Sequence, residues 1–159
     1  MQHPSPPIRH LVLVLGDQLD LNASALQNFD PQHDVVWMGE VMEESTHVPS
    51  SKQRTALFLS AMRHFAQALR AQGWTVHYTE LDDADNTGTL AGELTRAIAH
   101  WRPEALCMTA PGDWRVLQAI QATAKAQQKP LMLHDDLSFF TTVRDFAAHA
   151  KGRKQLRME

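Results

Sequence analysis

The sequence predicts an α/β fold: a Rossmann-like, doubly wound open sheet of about five parallel strands with helices on both faces. Short apolar runs of strand length recur at residues 11–15, 35–38, 75–78, 105–109 and 131–134. Helical periods lie between the later runs, at residues 51–72, 89–101 and 113–127, with a weaker one at residues 143–150. Strands that alternate with helices favour right-handed βαβ units and therefore a parallel sheet.

The helical segments carry recognisable ends and apolar faces. The first has one apolar stripe, made of Leu57, Phe58, Ala61, Met62, Phe65 and Leu69, and Gly73 is expected to end it. Arg102-Pro103 is expected to close the second, and Pro111-Gly112 precedes the third. The tryptophans fall in or beside apolar runs and are predicted to fill the core: Trp37, Trp74, Trp101 and Trp114.

Length and composition favour one domain, because 159 residues with 43% hydrophobic content can bury an adequate core. Residues 1–10 contain three prolines and are predicted to be a disordered or extended lead-in to an α/β domain over residues 11–150. Residues 151–159 are charged, compatible with a helix and without a cap. They are interpreted as the start of a connection to a further domain.

Charge and cysteine content exclude several classes of protein. A net charge of −3 predicts no broad nucleic-acid-binding face on this chain alone. No apolar run is long enough for a signal-peptide core or a membrane span, so we expect a soluble, cytoplasmic protein without a membrane partner. The single cysteine, Cys107, allows no internal disulfide or multi-cysteine metal site and is predicted to be an inert core thiol.

The stretch LVLVLGDQL, residues 11–19, places Gly16, Asp17 and Gln18 directly after the first predicted strand. In a doubly wound sheet, ligands bind beside the carboxyl ends of the strands. The stretch lacks the glycines of a dinucleotide loop and the Lys-Ser/Thr of a P-loop, and Asp17 would repel a phosphate. A neutral polar ligand therefore suits it better, whereas a tight turn with a solvated or capping Asp17 is the interpretation that the motif alone favours.

Two other groups of polar residues allow a functional interpretation. His134, Asp135 and Asp136 could ligate a metal, but adjacent residues seldom converge on one ion and the sequence marks no second partner. A basic cluster contains Lys151, Arg153, Lys154 and Arg157, and suits either a solvated helix end or a contact with phosphate or a neighbouring domain. The residues alone show no self-contained catalytic constellation.

Six stretches are similar to one known family: LVLVLGDQL (11–19), GEVMEESTHVP (39–49), ALFLSAMRHFAQALRAQGW (56–74), DDADNTG (82–88), APGDWR (110–115) and AKGRKQLRME (150–159). On these motifs the sequence resembles the N-terminal domain of the photolyase-related proteins, the iron-sulfur branch of the photolyase and cryptochrome superfamily. The stretches occur in order and cover nearly everything after residue 10.

The resemblance implies a light-harvesting domain that binds a lumazine antenna such as 6,7-dimethyl-8-ribityllumazine. It also implies a larger C-terminal domain that holds FAD and a [4Fe-4S] cluster. That domain would repair pyrimidine pairs in UV-damaged DNA, often the (6-4) lesion, by electron transfer from excited reduced flavin. That domain would be the partner of this chain, and the full-length protein would bind the damaged DNA. This chain alone is not expected to repair DNA.

By the same resemblance, the antenna site is assigned to Gly16, Asp17, Gln18, Leu19, Glu40, Met42 and Glu43, with no catalytic or metal-binding residue. The sequence departs from many relatives at Ser50-Ser51, where a His-His pair is common, and at Ala110, where a glutamate is common. Two other functions stay open: a stand-alone flavodoxin-like binding or interaction domain, and a small nucleotide-binding hydrolase, which the missing phosphate motifs disfavour.

Overall fold

The computed structural model describes residues 7–47 and 50–153 and contains one five-stranded sheet. Its strands are β1 (His10–Leu13), β2 (Asp34–Gly39), β3 (Val76–Thr79), β4 (Ala105–Thr109) and β5 (Leu131–His134). They lie in the order β3-β2-β1-β4-β5, and all neighbours pair in parallel. The chain builds outward from β1 in one direction and then from β4 in the other, so the switch point lies between β1 and β4. The predicted doubly wound sheet is confirmed.

Helices cover both faces of the sheet. On one face α3 (Leu90–Trp101) and α4 (Trp114–Ala126) pack against Leu11, Leu13 and Met108. On the other face α2 (Lys52–Ala71) and a short 3-10 helix, Ser24–Leu26, pack against Val12 and Val14. Because the inner strands are buried on both sides, they read as continuous apolar runs rather than as alternating patterns.

The helix ends follow local chemistry. The side chains of Ser51, Thr89 and Asp113 accept hydrogen bonds from backbone N–H groups in the first turns of α2, α3 and α4. The α2 helix ends before Gly73, whose φ of +83° lies in the left-handed region that glycine adopts readily. Arg102 takes the same region, with φ +48°, and Pro103 then prevents α3 from continuing.

The structure corrects several expectations. The helix α1 (Met42–Thr46) and the 3-10 helix were not predicted, because each is too short to show a periodic pattern. The prediction that Trp114 fills the core is wrong, since 70% of this residue is exposed. Leu57 is 73% exposed and Phe58 is 42% exposed, so the buried stripe of α2 is narrower than expected. Cys107 is buried as predicted, and burial raises the pKa of its thiol to about 11.

The ends of the described chain differ in their packing. The predicted lead-in over residues 1–10 extends too far, because β1 begins at His10 and Arg9 Nε donates to Asp34 Oδ1 at 2.9 Å; residues 1–6 lie outside the described residues. The last helix, α5 (Val143–Ala150), buries no residue. Lys151 and Arg153 of the basic cluster are exposed, and Lys154 and Arg157 lie outside the described residues. Within the described ranges, no helix has the length and apolarity that crossing a membrane requires.

Candidate functional site

A cleft of about 330 Å³ opens at the carboxyl ends of β1, β2 and β4. The loop after β1, the start of α4, α1 and the first half of α2 form its walls. Apolar atoms form most of the lining surface, and the polar and glycine residues of the lining are Gly16, Asp17, Gly39, Glu40, Glu44, His47, Ser50, Arg54, Thr55, Asp113 and Arg115. Its position beside the switch point is where a doubly wound sheet binds ligands.

The structure brings together three of the seven predicted site residues. Gly16, Asp17 and Glu40 line the cleft, and Asp17 is exposed. Gln18 and Leu19 follow on the same loop but do not line it, and Leu19 packs instead against the core on the α2 side. Met42 and Glu43 also lie outside the lining, at the start of α1.

Glu40 is buried and held entirely within the protein. Its Oε1 accepts hydrogen bonds from Arg63 Nε at 2.7 Å and Tyr78 Oη at 2.6 Å. Its Oε2 accepts from Arg63 Nη2 and from the backbone N–H of Leu81, both at 2.9 Å. Burial alone would raise the pKa of the Glu40 carboxyl, but the bonds from Arg63, Tyr78 and Leu81 outweigh burial and lower it. With two donors on each oxygen, the carboxylate joins β2, α2 and β3 and leaves no acceptor site open to a ligand.

The side chains of Gln18 and Glu43 also form hydrogen bonds within the fold. Gln18 Nε2 donates to the carbonyl oxygens of Thr109 at 3.2 Å and Ala110 at 3.1 Å, which ties the β1 loop to the end of β4. Its Oε1 is buried and has no partner among the described residues. Glu43 accepts a hydrogen bond from the N–H of Leu90 at 3.3 Å, at the first turn of α3. A carboxylate is favourable there because the helix N-terminus carries partial positive charge.

An ion pair that the sequence did not reveal spans the rim of the cleft. Arg115 Nη2 lies 3.1 Å from Glu44 Oε1 and 3.3 Å from Asp113 Oδ2, so α4 and α1 are joined. Burial would lower the pKa of Arg115, but its bonds to Glu44 and Asp113 outweigh burial and raise it. Arg115 belongs to the stretch APGDWR, which supports the resemblance, but the sequence did not indicate that Arg115 lies at the site.

Two buried N–H donors of cleft residues lack partners in the described part of the chain: the indole Nε1 of Trp37 and the guanidinium Nε of Arg115. Trp37 is 1% exposed and packs beneath Gly39, where an added Cβ would lie 3.2 Å from the indole ring. A buried donor without an acceptor is unfavourable by about 1–3 kcal/mol, so both groups are local costs in the wall of the cleft.

Phe58 is a further cleft residue that the sequence suggested only as a core position. Its ring lies against Gly16, where an added Cβ would be 2.6 Å from Phe58 Cε1 and 2.8 Å from Met62 Sδ. Gly16 does not adopt a positive φ, so this position needs glycine for space and not for its backbone conformation. The glycine was expected to admit a ligand, whereas in the structure it admits the Phe58 ring.

Two of the three candidate metal ligands, Asp135 and Asp136, have other partners. The Asp135 carboxylate pairs with Arg144, and the Asp135 carbonyl accepts from Ser24 Oγ at 2.7 Å. Asp136 accepts a hydrogen bond from the N–H of Ser138 at 2.9 Å. Across residues 7–47 and 50–153, no three histidine, cysteine or acidic side chains converge as a metal site would require.

The sheet and its helices define a Rossmann-like α/β domain, and a cleft at the carboxyl edge of the sheet is typical of ligand-binding domains of this class. Comparison with known sequences identifies the family. The chain belongs to the deoxyribodipyrimidine photo-lyase-related protein family, which it matches over residues 12–159. It is also 42% identical over 149 residues to a (6-4) photolyase of Agrobacterium fabrum (strain C58). The match covers 94% of this chain but only 29% of that relative.

Proposed function

We propose that this chain is the antenna-binding domain of a photolyase-like protein and that its cleft holds a lumazine of the 6,7-dimethyl-8-ribityllumazine type. The observation that carries the proposal is a ligand-sized cleft beside the switch point of the sheet, with apolar walls and the exposed carboxylate of Asp17 among its lining residues. The cleft volume of about 330 Å³ lies near the lower end of the range for small-molecule sites, about 300–1,000 Å³.

The chemistry of the donors and acceptors suits a lumazine. Its ring carbonyls would accept hydrogen bonds from the exposed guanidinium group of Arg54, which lines the cleft. Its imide N–H or ribityl hydroxyls would donate to the exposed Asp17 carboxylate, and Ser50 and Thr55 offer hydroxyls at the same cleft. The apolar lining, which includes Val14, Val41 and Leu90, would exclude water from the ring.

A bound lumazine would supply absorption of near-ultraviolet and blue light, which could be transferred to a flavin elsewhere in the protein. The residues of this chain have the simpler task of holding the ring in one orientation. The Glu40–Arg63 pair serves that task indirectly, because it joins the end of β2 to α2, and both of these elements line the cleft. A rigid site of this kind needs no nucleophile or general base.

We further propose that the domain works together with the rest of a photolyase-like protein, in the cytoplasm, on UV-damaged DNA. The chain spans 29% of the (6-4) photolyase that it resembles. Because this chain has a single cysteine, the ligands of a [4Fe-4S] cluster would lie in the remainder of the protein. The FAD-binding domain would lie there too. Large apolar side chains are exposed after β5, on Leu137, Phe139, Phe140, Val143 and Phe146. Such a surface suits packing against that remainder.

Titration of the purified chain with 6,7-dimethyl-8-ribityllumazine, followed by ligand fluorescence polarisation, tests the site. We expect saturable binding, and we expect Asp17→Ala to weaken it about tenfold or more, since a hydrogen bond to a charged group contributes about 1.5–3 kcal/mol. Asp82→Asn is the matched control, because Asp82 is an exposed carboxylate outside the cleft. A folded wild-type chain that binds no lumazine would refute the proposal, and equal binding by Asp17→Ala would refute the site.

A further inference from the structure

Two histidine rings lie close together at the β3 edge of the sheet, away from the cleft. His77 is a half-buried residue of β3, and its ring centroid lies 5.9 Å from that of His100, an exposed residue in the last turn of α3. Trp101 lies edge-on to both rings, with its centroid 6.2 Å from that of His77 and 4.9 Å from that of His100. Because Trp101 also packs against the core, the contact joins an edge strand to the anchored end of a helix.

The surroundings of His77 oppose a positive charge on its ring. Burial is the largest effect and lowers the pKa of His77 from its ordinary value of 6.5. His100 and Arg96, both on α3, lower this pKa further, whereas Glu93 raises it. Glu93 is already paired with Arg96, and the register partner of His77 on β2 is the uncharged Trp37. A proton on His77 is therefore poorly compensated while β3 and α3 are packed together.

β3 is weakly held and reaches the wall of the cleft. It is four residues long, only Thr79 is buried, and within the described ranges it pairs with one strand, β2. Tyr78, the neighbour of His77 on the opposite face of the sheet, donates to Glu40 Oε1 at 2.6 Å. The carbonyl oxygen of Thr79 accepts from the N–H of Glu40 at 2.9 Å. Displacement of β3 therefore acts on Glu40, which lines the cleft.

From this arrangement we infer that the contact between His77 and His100 is a proton-sensitive element: when both rings are charged, β3 separates from the end of α3 and the Tyr78–Glu40 hydrogen bond weakens. A state with β3 released binds a proton at His77 more readily than the packed state does. The packed state therefore loses stability as the pH falls below about 6.5, until the pH lies below the lowered pKa of His77. The inference does not depend on which ligand the cleft binds.

The test uses Tyr78, which is the only tyrosine of the chain, so that labelling with ¹³C-tyrosine gives one set of ring NMR signals. From about pH 7.5 to about pH 5, we expect these signals to shift or broaden. Amide exchange of residues 76–79, corrected for the intrinsic effect of pH, should rise about threefold or more. The Glu40 and Glu93 carboxyls stay charged over this range, because their pKa values are lowered from 4.5.

Histidine variants identify the group that responds. His77→Gln should abolish the response, because it removes the protonated ring, and His100→Gln should reduce it, because it removes the neighbouring charge. His149→Gln is the matched control, since His149 is exposed on α5, and it should leave the response unchanged.

Urea unfolding at about pH 7.5 establishes that each variant is folded. If His77→Gln is not folded, the exposed His100→Gln decides. A Tyr78 signal that does not change with pH in the wild-type chain would overturn the inference. A full response in His77→Gln or in His100→Gln would overturn it as well. These measurements use no ligand, so their failure and the failure of lumazine binding are distinguishable.

Discussion

The ring of Phe58 occupies the space that a side chain at position 16 would need. A Cβ atom on Gly16 would approach Phe58 Cε1 to 2.6 Å, closer than real Cβ contacts allow. The two residues are 42 positions apart and meet because the crossover from β2 to β3 returns α2 across the end of β1. The glycine of the β1 loop and the aromatic residue of α2 therefore form one unit in the wall of the cleft.

Gly16→Ala should displace the Phe58 ring and weaken lumazine binding about three- to tenfold, because the displaced ring changes the shape of the cleft wall. The free energy of unfolding should fall by only about 1 kcal/mol, since the half-exposed ring can move away. Gly112→Ala is the matched control, because an added Cβ there meets nothing within 4 Å. In a Phe58→Leu background, Gly16→Ala should have little further effect on binding; additive losses would contradict the coupling.

The Glu40–Arg63 pair should matter for stability. Glu40→Gln is expected to lower the free energy of unfolding by about 1–3 kcal/mol. The buried carboxylate accepts four hydrogen bonds, two of them from the charged Arg63, and a glutamine amide cannot accept all four. Urea unfolding measures the change. The control is Glu80→Gln, since Glu80 also contacts Arg63, at 3.3 Å, but with a side chain 49% exposed. That variant should change stability by less than about 1 kcal/mol, and equal effects would contradict the assigned role of Glu40.

Acid should destabilise the domain through its buried carboxylates. Burial would raise the pKa values of the Asp34 and Glu93 carboxyls. Hydrogen bonds from Arg9 outweigh burial and lower the pKa of Asp34. Hydrogen bonds from Thr87 and Arg96 do the same for Glu93. A carboxyl whose folded pKa is depressed stabilises the protein above its unfolded pKa, about 4, and this contribution is lost as the pH falls through the folded value. We expect the urea midpoint to fall steeply below about pH 4, and Glu93→Gln to reduce that pH dependence. An unchanged slope would contradict the prediction for Glu93.

Phosphorylated ligands should bind more weakly than neutral ones. The lining of the cleft contains four carboxylates and two arginines: Asp17, Glu40, Glu44, Asp113, Arg54 and Arg115. Arg115 is already paired with Glu44 and Asp113, so negative charge exceeds positive charge at the cleft. We expect flavin mononucleotide to bind at least about tenfold more weakly than 6,7-dimethyl-8-ribityllumazine, and Asp17→Asn to narrow the difference. Competition measured by fluorescence polarisation at low and high salt checks this. Equal affinity for the two ligands would contradict the electrostatic argument.

The segment after β5 should tolerate polar substitution. Phe140 is fully exposed and Phe146 is 56% exposed, so neither buries much area within the described chain. The double variant Phe140→Ser, Phe146→Ser is expected to change the free energy of unfolding by less than about 0.5 kcal/mol and to reduce binding of a hydrophobic dye. Phe65→Ser is the destabilising comparison, because Phe65 belongs to the core under α2. A large loss of stability in the double variant would show that the segment packs on this chain.

The fold was largely predictable because its signals are local. Each of the five strands coincides with an apolar run, and the predicted and observed bounds of β4 and β5 agree. Caps such as Ser51 and Asp113 fix helix starts through hydrogen bonds that span only two or three residues. Short elements such as α1 escaped detection, because five residues do not complete two helical turns.

The site was less predictable because its contacts are distant in sequence. Glu40 lines the cleft, but its pairing with Arg63, 23 residues away, depends on how α2 packs across the sheet. Phe58 carried a pattern typical of a core residue, and only the structure shows that α2 turns it toward the cleft. Trp37 was expected to be buried, but no sequence pattern shows that its indole N–H lacks an acceptor.

The assignment of the cleft is tested most directly by native mass spectrometry of the chain purified from cells that make lumazines. The absorption spectrum of the compound released on denaturation then identifies the ligand. We predict one lumazine per wild-type chain, with near-ultraviolet absorption in the released fraction, and loss of the bound species in Asp17→Ala. Addition of excess 6,7-dimethyl-8-ribityllumazine should restore full occupancy in any chain that lost ligand during purification. A folded wild-type chain that stays free of lumazine at saturating concentration would contradict the antenna assignment.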